Sequence, residues 1–400
     1  MHPLTVTLTM KQLQRYQTIQ SLLDGRLTNA QAANALRLSI RQIQRLKVKV
    51  RTAGPNGTLH ANAGRPPALA KPPALRQKVI SLATTTYAHY NFSHLADTLA
   101  DQHHIRLSDE TLRRWLRPLG FGKPLHRQHT HRRRRCRSAR EGQLLFLDGS
   151  PHPWFGNAYP PVCLLLASDD ATGIPLVGKF QPQEDRNGCF EVCYHIFRRF
   201  GLPAAFYLDR ASQFITTDHR AQKQGITPPP THFQQAMETL AIHLIFANSP
   251  QARGRGERLN GSFQGRLAAE LQRYHIHACH RATQYLNEVF IPKYVSRFRK
   301  SPADPTAAWR PTEPLGDLRT ILCAKLSRTV ANDNTVSVNG VCYQLEPPPR
   351  RFHLTHAKIE VQQWFDQSLH FVHPRYGPLA AKLVSSRPKP RPQLAQADAF

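Results

Sequence analysis

Between residues 143 and 274 short apolar runs alternate with stretches of helical period, and that alternation restricts the chain to a layered α/β core. Gln143–Asp148 (QLLFLD), Val162–Ser168 and Ile174–Phe180 read as three strands, the last two joined by the turn Asp169-Asp170-Ala171-Thr172-Gly173. Three strands in a row suggest an antiparallel meander. Glu184–Phe200 then has the period of a helix, Ala204–Asp209 (AAFYLD) that of a strand, and Phe233–Leu240 that of a helix. Strand Ile242–Phe246 follows, and a long helix from about residue 251 to 274 completes the block. The order predicts a mixed sheet with helices packed on it.

Two of these runs end in an aspartate, Asp148 and Asp209, and the long helix carries Glu257. Three carboxylates from separate elements, converging on one sheet face, suit magnesium. That ion takes hard oxygen ligands, and a pair of such ions can activate an attacking oxygen and stabilise the leaving oxygen of a phosphodiester. Acidic residues are scarce, 26 against 54 Lys and Arg, so their concentration in the most apolar part of the chain calls for explanation. The spacing also allows a plainer reading, in which both aspartates finish strands and Glu257 pairs with Arg253 or Arg258.

The surplus of cations gives a formal charge of +28, which points to a polyanionic partner, a nucleic acid or an acidic membrane surface. No stretch approaches the roughly 18 apolar residues that a spanning helix needs. The start, MHPLTVTLTMKQLQ, lacks the charged-then-apolar pattern of a secretory signal, so a cytoplasmic protein without membrane partners is expected. Seven cysteines scattered from Cys136 to Cys342 do not form the paired framework of a small secreted domain. Cys189, Cys193 and His195, and the run His275, His277, Cys279, His280, lack the ligand spacing of structural zinc and read as core thiols and surface histidines.

Residues 1–52 read as a helix-turn-helix unit. Met10–Asp24 carries Leu13, Tyr16, Ile19, Leu22 and Leu23 on one stripe, Thr28 caps a second helix, and Ser39 with Gln42 can form a capping box on a third with Ile40, Ile43 and Leu46 inward. The outward side chains Arg41, Gln42, Gln44, Arg45 and Lys47 would enter a major groove. Residues 53–75 form a Gly/Pro-rich linker whose Gly64-Arg65-Pro66 could lay Arg65 into a minor groove. A second helix-turn-helix is expected over 76–120, with helices starting at Ser93 and Ser108, and Thr111, Arg113, Arg114 and Arg117 on its reading helix. The linker 121–140 holds Arg132, Arg133, Arg134 and Arg135 and no acidic residue, a run suited to gripping phosphates.

Four ordered motifs carry a resemblance. LDGSPHPWF (147–155), DDATG (169–173), YLDRASQF (207–214) and NSPQARGRGERLN (248–260) are similar to the successive motifs of bacterial insertion-sequence transposases of the ISNCY type. Those proteins also begin with a Gln/Arg-rich helix-turn-helix, a Gly-Arg-Pro linker and a second helix-turn-helix. The resemblance implies an RNase H-like integrase core over 141–300, in which Asp148, Asp209 and Glu257 form a DDE triad binding two Mg²⁺ or Mn²⁺ ions. It implies cleavage at the terminal inverted repeats and joining of the freed 3′ hydroxyl to target DNA. It further implies a reaction with no covalent enzyme intermediate and no nucleotide cofactor, and a homo-oligomer assembled on double-stranded DNA is expected. Arg253, Arg255 and Arg258 would contact the DNA backbone, and Gln251 and Asn260 would position DNA. Two positions depart from the family pattern: Gly256 stands where a β-branched residue is common, and Pro153 where an acidic one is frequent.

Beyond the core, Arg281–Lys300 reads as a helix and 301–327 as a linker. Residues 328–384 read as a small β-barrel-like domain with turns at Asn332-Asp333-Asn334 and Asn339-Gly340. Residues 385–400 form a Pro- and Ala-rich disordered tail. A regulatory DNA-binding protein with an idle core, and a nuclease without strand transfer, are the competing functions.

Overall fold

The computed structural model describes residues 8–60, 62, 70–122, 136–216, 228–247, 254–349 and 353–386. It divides into two compact units, Met1–Gln77 and Lys78–Phe400. No described helix is long and apolar enough to cross a membrane.

The first unit holds α1 (Met10–Leu23), α2 (Asn29–Leu36) and α3 (Ile40–Ala53). Thr9, Thr28 and Ser39 each close a capping box with the glutamine three residues on, so both side chains satisfy helix-end amides that lack an intrahelical partner. Ile19, Leu22, Ala32, Ala33, Ile43 and Val50 form the core. Ile40, expected inward, is half exposed, and Ile43 and Val50 are the buried side chains of α3. The expected linker is partly built: Gly54–Thr58 is a 3-10 turn with Gly57 and Thr58 buried, and α4 (Pro73–Thr85) opens on a proline, where a missing N–H costs nothing.

In the second unit α5 (Phe92–His103) is capped by Asn91 rather than Ser93, whose hydroxyl instead donates to Asp109; α6 (Asp109–Leu116) is capped by Ser108 as expected. The core sheet contains β1 (Leu145–His152), β2 (Val162–Asp169), β3 (Pro175–Gln181), β4 (Ala205–Leu208) and β5 (His243–Phe246), in the order β3-β2-β1-β4-β5. β1, β2 and β3 are antiparallel, and β4 and β5 continue parallel to β1.

Side-chain alternation sends the two strand faces into separate cores. Leu145, Leu147 and Leu165 meet Phe190 and Phe197 of α7 (Arg186–Phe200) and Phe233 of α8 (His232–Thr239). Leu164, Leu166 and Phe180 meet Phe263 and Leu267 of α9 (Gly254–Arg273). The expected helix at 281–300 is observed as α10 (Cys279–Tyr285), a π-helical turn (Leu286–Phe290) and α11 (Ile291–Phe298). Asn287 in that turn bonds both backbone groups of Gly178, and Thr283 Oγ1 accepts from Phe180 N–H at 2.9 Å. The edge strand β3 is thereby closed to further pairing.

The second helical block is packed into this unit rather than standing alone. Asn91 donates to the Gly265 carbonyl at 2.9 Å, Arg266 meets Asp97 at 2.7 Å, and Arg297 reaches Asp97 and Asp101. The stretch 301–327 is likewise no free linker: Arg310 pairs with Leu202, and Leu318 and Leu322 are buried in the sheet core. Beyond it, β6 (Ala324–Thr329), β9 (Lys358–Gln363), β10 (Leu369–His373) and β11 (Gly377–Leu379) form one sheet. The hairpin β7 (Thr335–Val338) and β8 (Val341–Leu345) pairs with β12 (Ala381–Ser386) in a second. Residues 387–400 of the expected tail lie outside the described residues.

Candidate active site

β1 runs four residues past its expected end, so Asp148 lies inside the strand. Antiparallel to β2 the strand is paired throughout, with Asp148 opposite Leu166, whereas its parallel pairing with β4 stops at Phe146 opposite Tyr207. The rings of those two residues lie 5.6 Å apart, which puts both side chains on one face. Two residues further on come Asp148, still within β1, and Asp209, the first residue past β4, and the strand alternation directs both toward that same face. Asp209 directly follows β4 and opens a turn in which its Oδ1 accepts from Ala211 N–H at 3.0 Å. Phe214, buried against Phe233 with ring centroids 4.9 Å apart, anchors the far side of the turn.

Helix α9 lies across this face. Asn260 Nδ2 donates to Asp148 Oδ2 at 2.9 Å, and one turn on Gln264 Nε2 donates to Ser150 Oγ at 3.0 Å. Residues four apart share a helix stripe, and the stripe runs back to Gly256, where an added Cβ would lie 3.8 Å from Asp148 Oδ2. Glu257 sits about a quarter-turn round from that stripe, exposed in the first turn of α9. Among the described residues no three His, Cys, Asp or Glu side chains are grouped closely enough to hold a metal ion. The structure therefore sets β1, which carries Asp148, beside β4, which Asp209 follows, and brings the glutamate's helix onto Asp148, without closing the three together.

Glu184 gave no signal in the sequence, and Asp170, though part of the DDATG motif, gave none of its partners. Glu184, between β3 and α7, lays its carboxylate into the space beside Gly149, so a side chain there would displace it. Its Oε1 accepts from Gln213 Nε2 at 2.6 Å, tying the strand of the first aspartate to the turn of the second. Burial, and behind it the Glu184 charge, push the neighbouring Cys163 thiol up to about 12. Asp170, fully buried in the Asp169–Gly173 turn, accepts from Arg255 at 2.5 Å and from Ser138 N–H at 2.7 Å. Both pairs join residues far apart in the chain, which local patterns do not reveal.

Several expected DNA contacts are engaged within the protein. Arg255 is held by Asp170, Asn260 by Asp148, and Arg113 by Glu110 at 3.0 Å, with its guanidinium also over the Phe92 ring. Gln42 spends its carbonyl on the cap of α3. Arg41, Gln44, Arg45, Arg114 and Arg258 are exposed, and Lys47 is half-buried. Arg65, Arg132, Arg133, Arg134, Arg135, Gln251 and Arg253 lie outside the described residues. Cys189 and Cys193 are fully buried core thiols.

No family model matches the chain. It is 31% identical over 343 residues to y4bF of Sinorhizobium fredii (strain NBRC 101917 / NGR234), named as a transposase, covering 85% of this chain and 74% of the relative. It is 29% identical over 378 residues to the transposase for insertion sequence IS1202 of Streptococcus pneumoniae, covering 84% and 78%. Two solved structures are similar at 13% sequence identity. The simian T-cell lymphotropic virus intasome in complex with PP2A regulatory subunit B56 gamma has a TM-score of 0.32, covering 78% of this chain and 100% of that one. The HTLV-2 integrase catalytic core domain in complex with magnesium (trimeric form) has a TM-score of 0.25, covering 38% and 86%. Likenesses of that size fix neither fold nor function, whereas the length and identity of the sequence matches do fix the family. The chain belongs to the insertion-sequence transposases.

Proposed function

We propose that the second unit carries an RNase H-like DDE core that cuts DNA at the ends of an insertion sequence and joins the freed 3′ hydroxyl to target DNA. The observation that supports this most is the parallel pairing of β1, which carries Asp148, with β4, which Asp209 directly follows, with α9 fastened to Asp148 through Asn260. The donor set fits the implied metal: Asp148, Asp209 and Glu257 offer hard carboxylate oxygens and no thiolate or imidazole. Bound there, two Mg²⁺ or Mn²⁺ ions supply positive charge that activates the attacking oxygen and offsets charge on the leaving one. Three carboxylates repel one another, so the set closes together with the cations rather than before them.

The protein's own part is orientation. Asn260 fixes the Asp148 carboxylate, the Asx turn fixes Asp209, and Glu184 with Gln213 keeps the two strand ends together. A water and then the 3′ hydroxyl are aligned at the same carboxylates, so hydrolysis and transesterification share one site. The first unit reads the terminal repeat through α3, whose exposed Arg41, Gln44 and Arg45 carry the donors for base edges and phosphates.

The test is nicking of a duplex that carries the repeat flanking the coding region. Wild-type protein with Mg²⁺ is expected to nick at the repeat end. Asp148→Asn is expected to lose at least a hundredfold in rate while binding the duplex within about threefold of wild type. Equal nicking by both proteins would refute the site.

A further inference from the structure

The turn Asp169–Gly173 lies on the α9 side of the core and does more than join two strands. Asp169 is consumed internally: its carboxylate accepts from Gly142 N–H, Thr172 N–H and Thr172 Oγ1 at 2.6–2.9 Å. That leaves Asp170 and the turn's carbonyls to organise arginines. Arg255 pairs with the buried Asp170 carboxylate, while Arg137 donates to the Asp170 and Ala171 carbonyls at 2.8 and 3.4 Å. Gly173 takes a left-handed φ of +70° that favours glycine, and Arg137 Nη1 lies in the space beside it, 2.5 Å from where a Cβ would stand.

The two arginines border a cavity of about 230 Å³ whose lining also includes Arg258, Lys300, Phe146 and Tyr294. Its charges do not cancel. Arg137 is held by neutral carbonyls, and among the described residues neither Arg258 nor Lys300 meets a carboxylate. Phe146 in the wall shares its sheet face with Asp148, two residues away, and Arg258 directly follows Glu257. An open cavity with surplus cations, beside carboxylates that act on a phosphodiester, selects a singly charged tetrahedral anion on the same strand.

Resting on the transposase reading, we propose that this turn builds a phosphate pocket. In it Arg137, Arg258 and Lys300 hold a DNA phosphodiester neighbouring the one that is cut. The pocket fixes the register of the strand against Asp148 and Asp209, and it adds a sequence-independent grip to those of α3.

The experiment uses the full chain, the repeat duplex, and a single neutral methylphosphonate moved through each linkage around the cleaved bond. With wild-type protein one linkage next to the cut is expected to weaken binding about tenfold when neutralised. In Arg258→Ala/Lys300→Ala that sensitivity should vanish, and the slope of log affinity against log salt should become shallower by about 0.9 for each phosphate the variant no longer neutralises. Both side chains are exposed, so the substitutions leave the fold intact. A double variant with the wild-type salt slope and the wild-type methylphosphonate profile overturns the pocket. If that happens while wild-type protein still nicks the duplex, the transposase reading stands alone. Wild-type protein that neither binds nor nicks the duplex overturns both.

Discussion

Asn260 bonds Asp148 directly, and Glu184 bonds Gln213 in the turn that follows Asp209, so both bear on the aspartates through tertiary contacts. Asn260→Ala removes the donor to Asp148. It is expected to slow nicking about tenfold with DNA affinity nearly unchanged, the pattern of impaired orientation rather than impaired binding; an equal drop in affinity would make Asn260 a direct DNA ligand instead. Glu184→Gln keeps an acceptor for Gln213 and should keep most activity, whereas Glu184→Ala and Gln213→Ala should each lose about tenfold, and together no more than either alone. Additive losses would show that the two do not work as a pair. Gly256 offers a third check. A Cβ there makes only an ordinary approach to Asp148, so Gly256→Ala should stabilise α9 by roughly 1 kcal/mol, read as a higher midpoint in thermal unfolding. Of the two aspartates, Asp209 follows its strand as the apolar run ending in aspartate suggests, whereas Asp148 sits inside β1, which runs on to His152. Their supports are not legible in the sequence, because Asn260–Asp148 and Glu184–Gln213 are tertiary pairs with no local period.

At the scale of elements, the caps and periods of α1, α2 and α3 are readable because capping boxes are local chemistry. What local patterns do not supply is where the second helical block goes. That is decided by a buried polar cluster between α5 and α9. His94 Nε2–H donates to Glu270 Oε1 at 2.9 Å, Tyr285 OH donates to Oε2 at 2.5 Å, and Lys293 lies 3.3 Å from Oε1. Burial opposes ionisation of Glu270, but the His94 and Tyr285 hydrogen bonds and the Lys293 charge outweigh it and hold the carboxyl at about 2. Burial pushes His94 below its ordinary 6.5, so the imidazole is neutral and donates. Both groups bind fewer protons folded than unfolded over the acid range, so stability rises with pH there. The His94 contribution is lost as pH falls below 6.5, and the Glu270 contribution between its ordinary 4.5 and about 2. Thermal unfolding followed from pH 8 to pH 3 should show the midpoint falling steadily on the acid side. Glu270→Gln should be less stable at neutral pH by about 3 kcal/mol and flatter below 4.5. A wild-type profile level from pH 8 to pH 3 would contradict the arrangement.

For the whole molecule, the division at residue 77 separates a compact helical unit built on α1, α2 and α3 from a unit that combines the five-stranded sheet, the second helical block and the C-terminal sheets. Sequence patterns cut that second unit into pieces at Pro- and Gly-rich stretches. Such residues do end helices, yet here Arg310, Leu318 and Leu322 strap one of those stretches into the core. A chain of +28 should bind DNA with a steep salt dependence through counterion release, and the proposed pairing of two DNA ends generally needs at least a dimer. Sedimentation with repeat DNA is expected to show a dimer or larger complex, and a monomer at saturating DNA would count against paired-end chemistry. The central claim is tested most directly by strand transfer: full-length protein, a labelled duplex carrying the flanking repeat, a plasmid target and Mg²⁺, beside Asp209→Ala. The account predicts labelled duplex joined to plasmid by wild-type protein and none by the variant. Repeat binding with no joined product from wild type, or equal joining by both proteins, would contradict it.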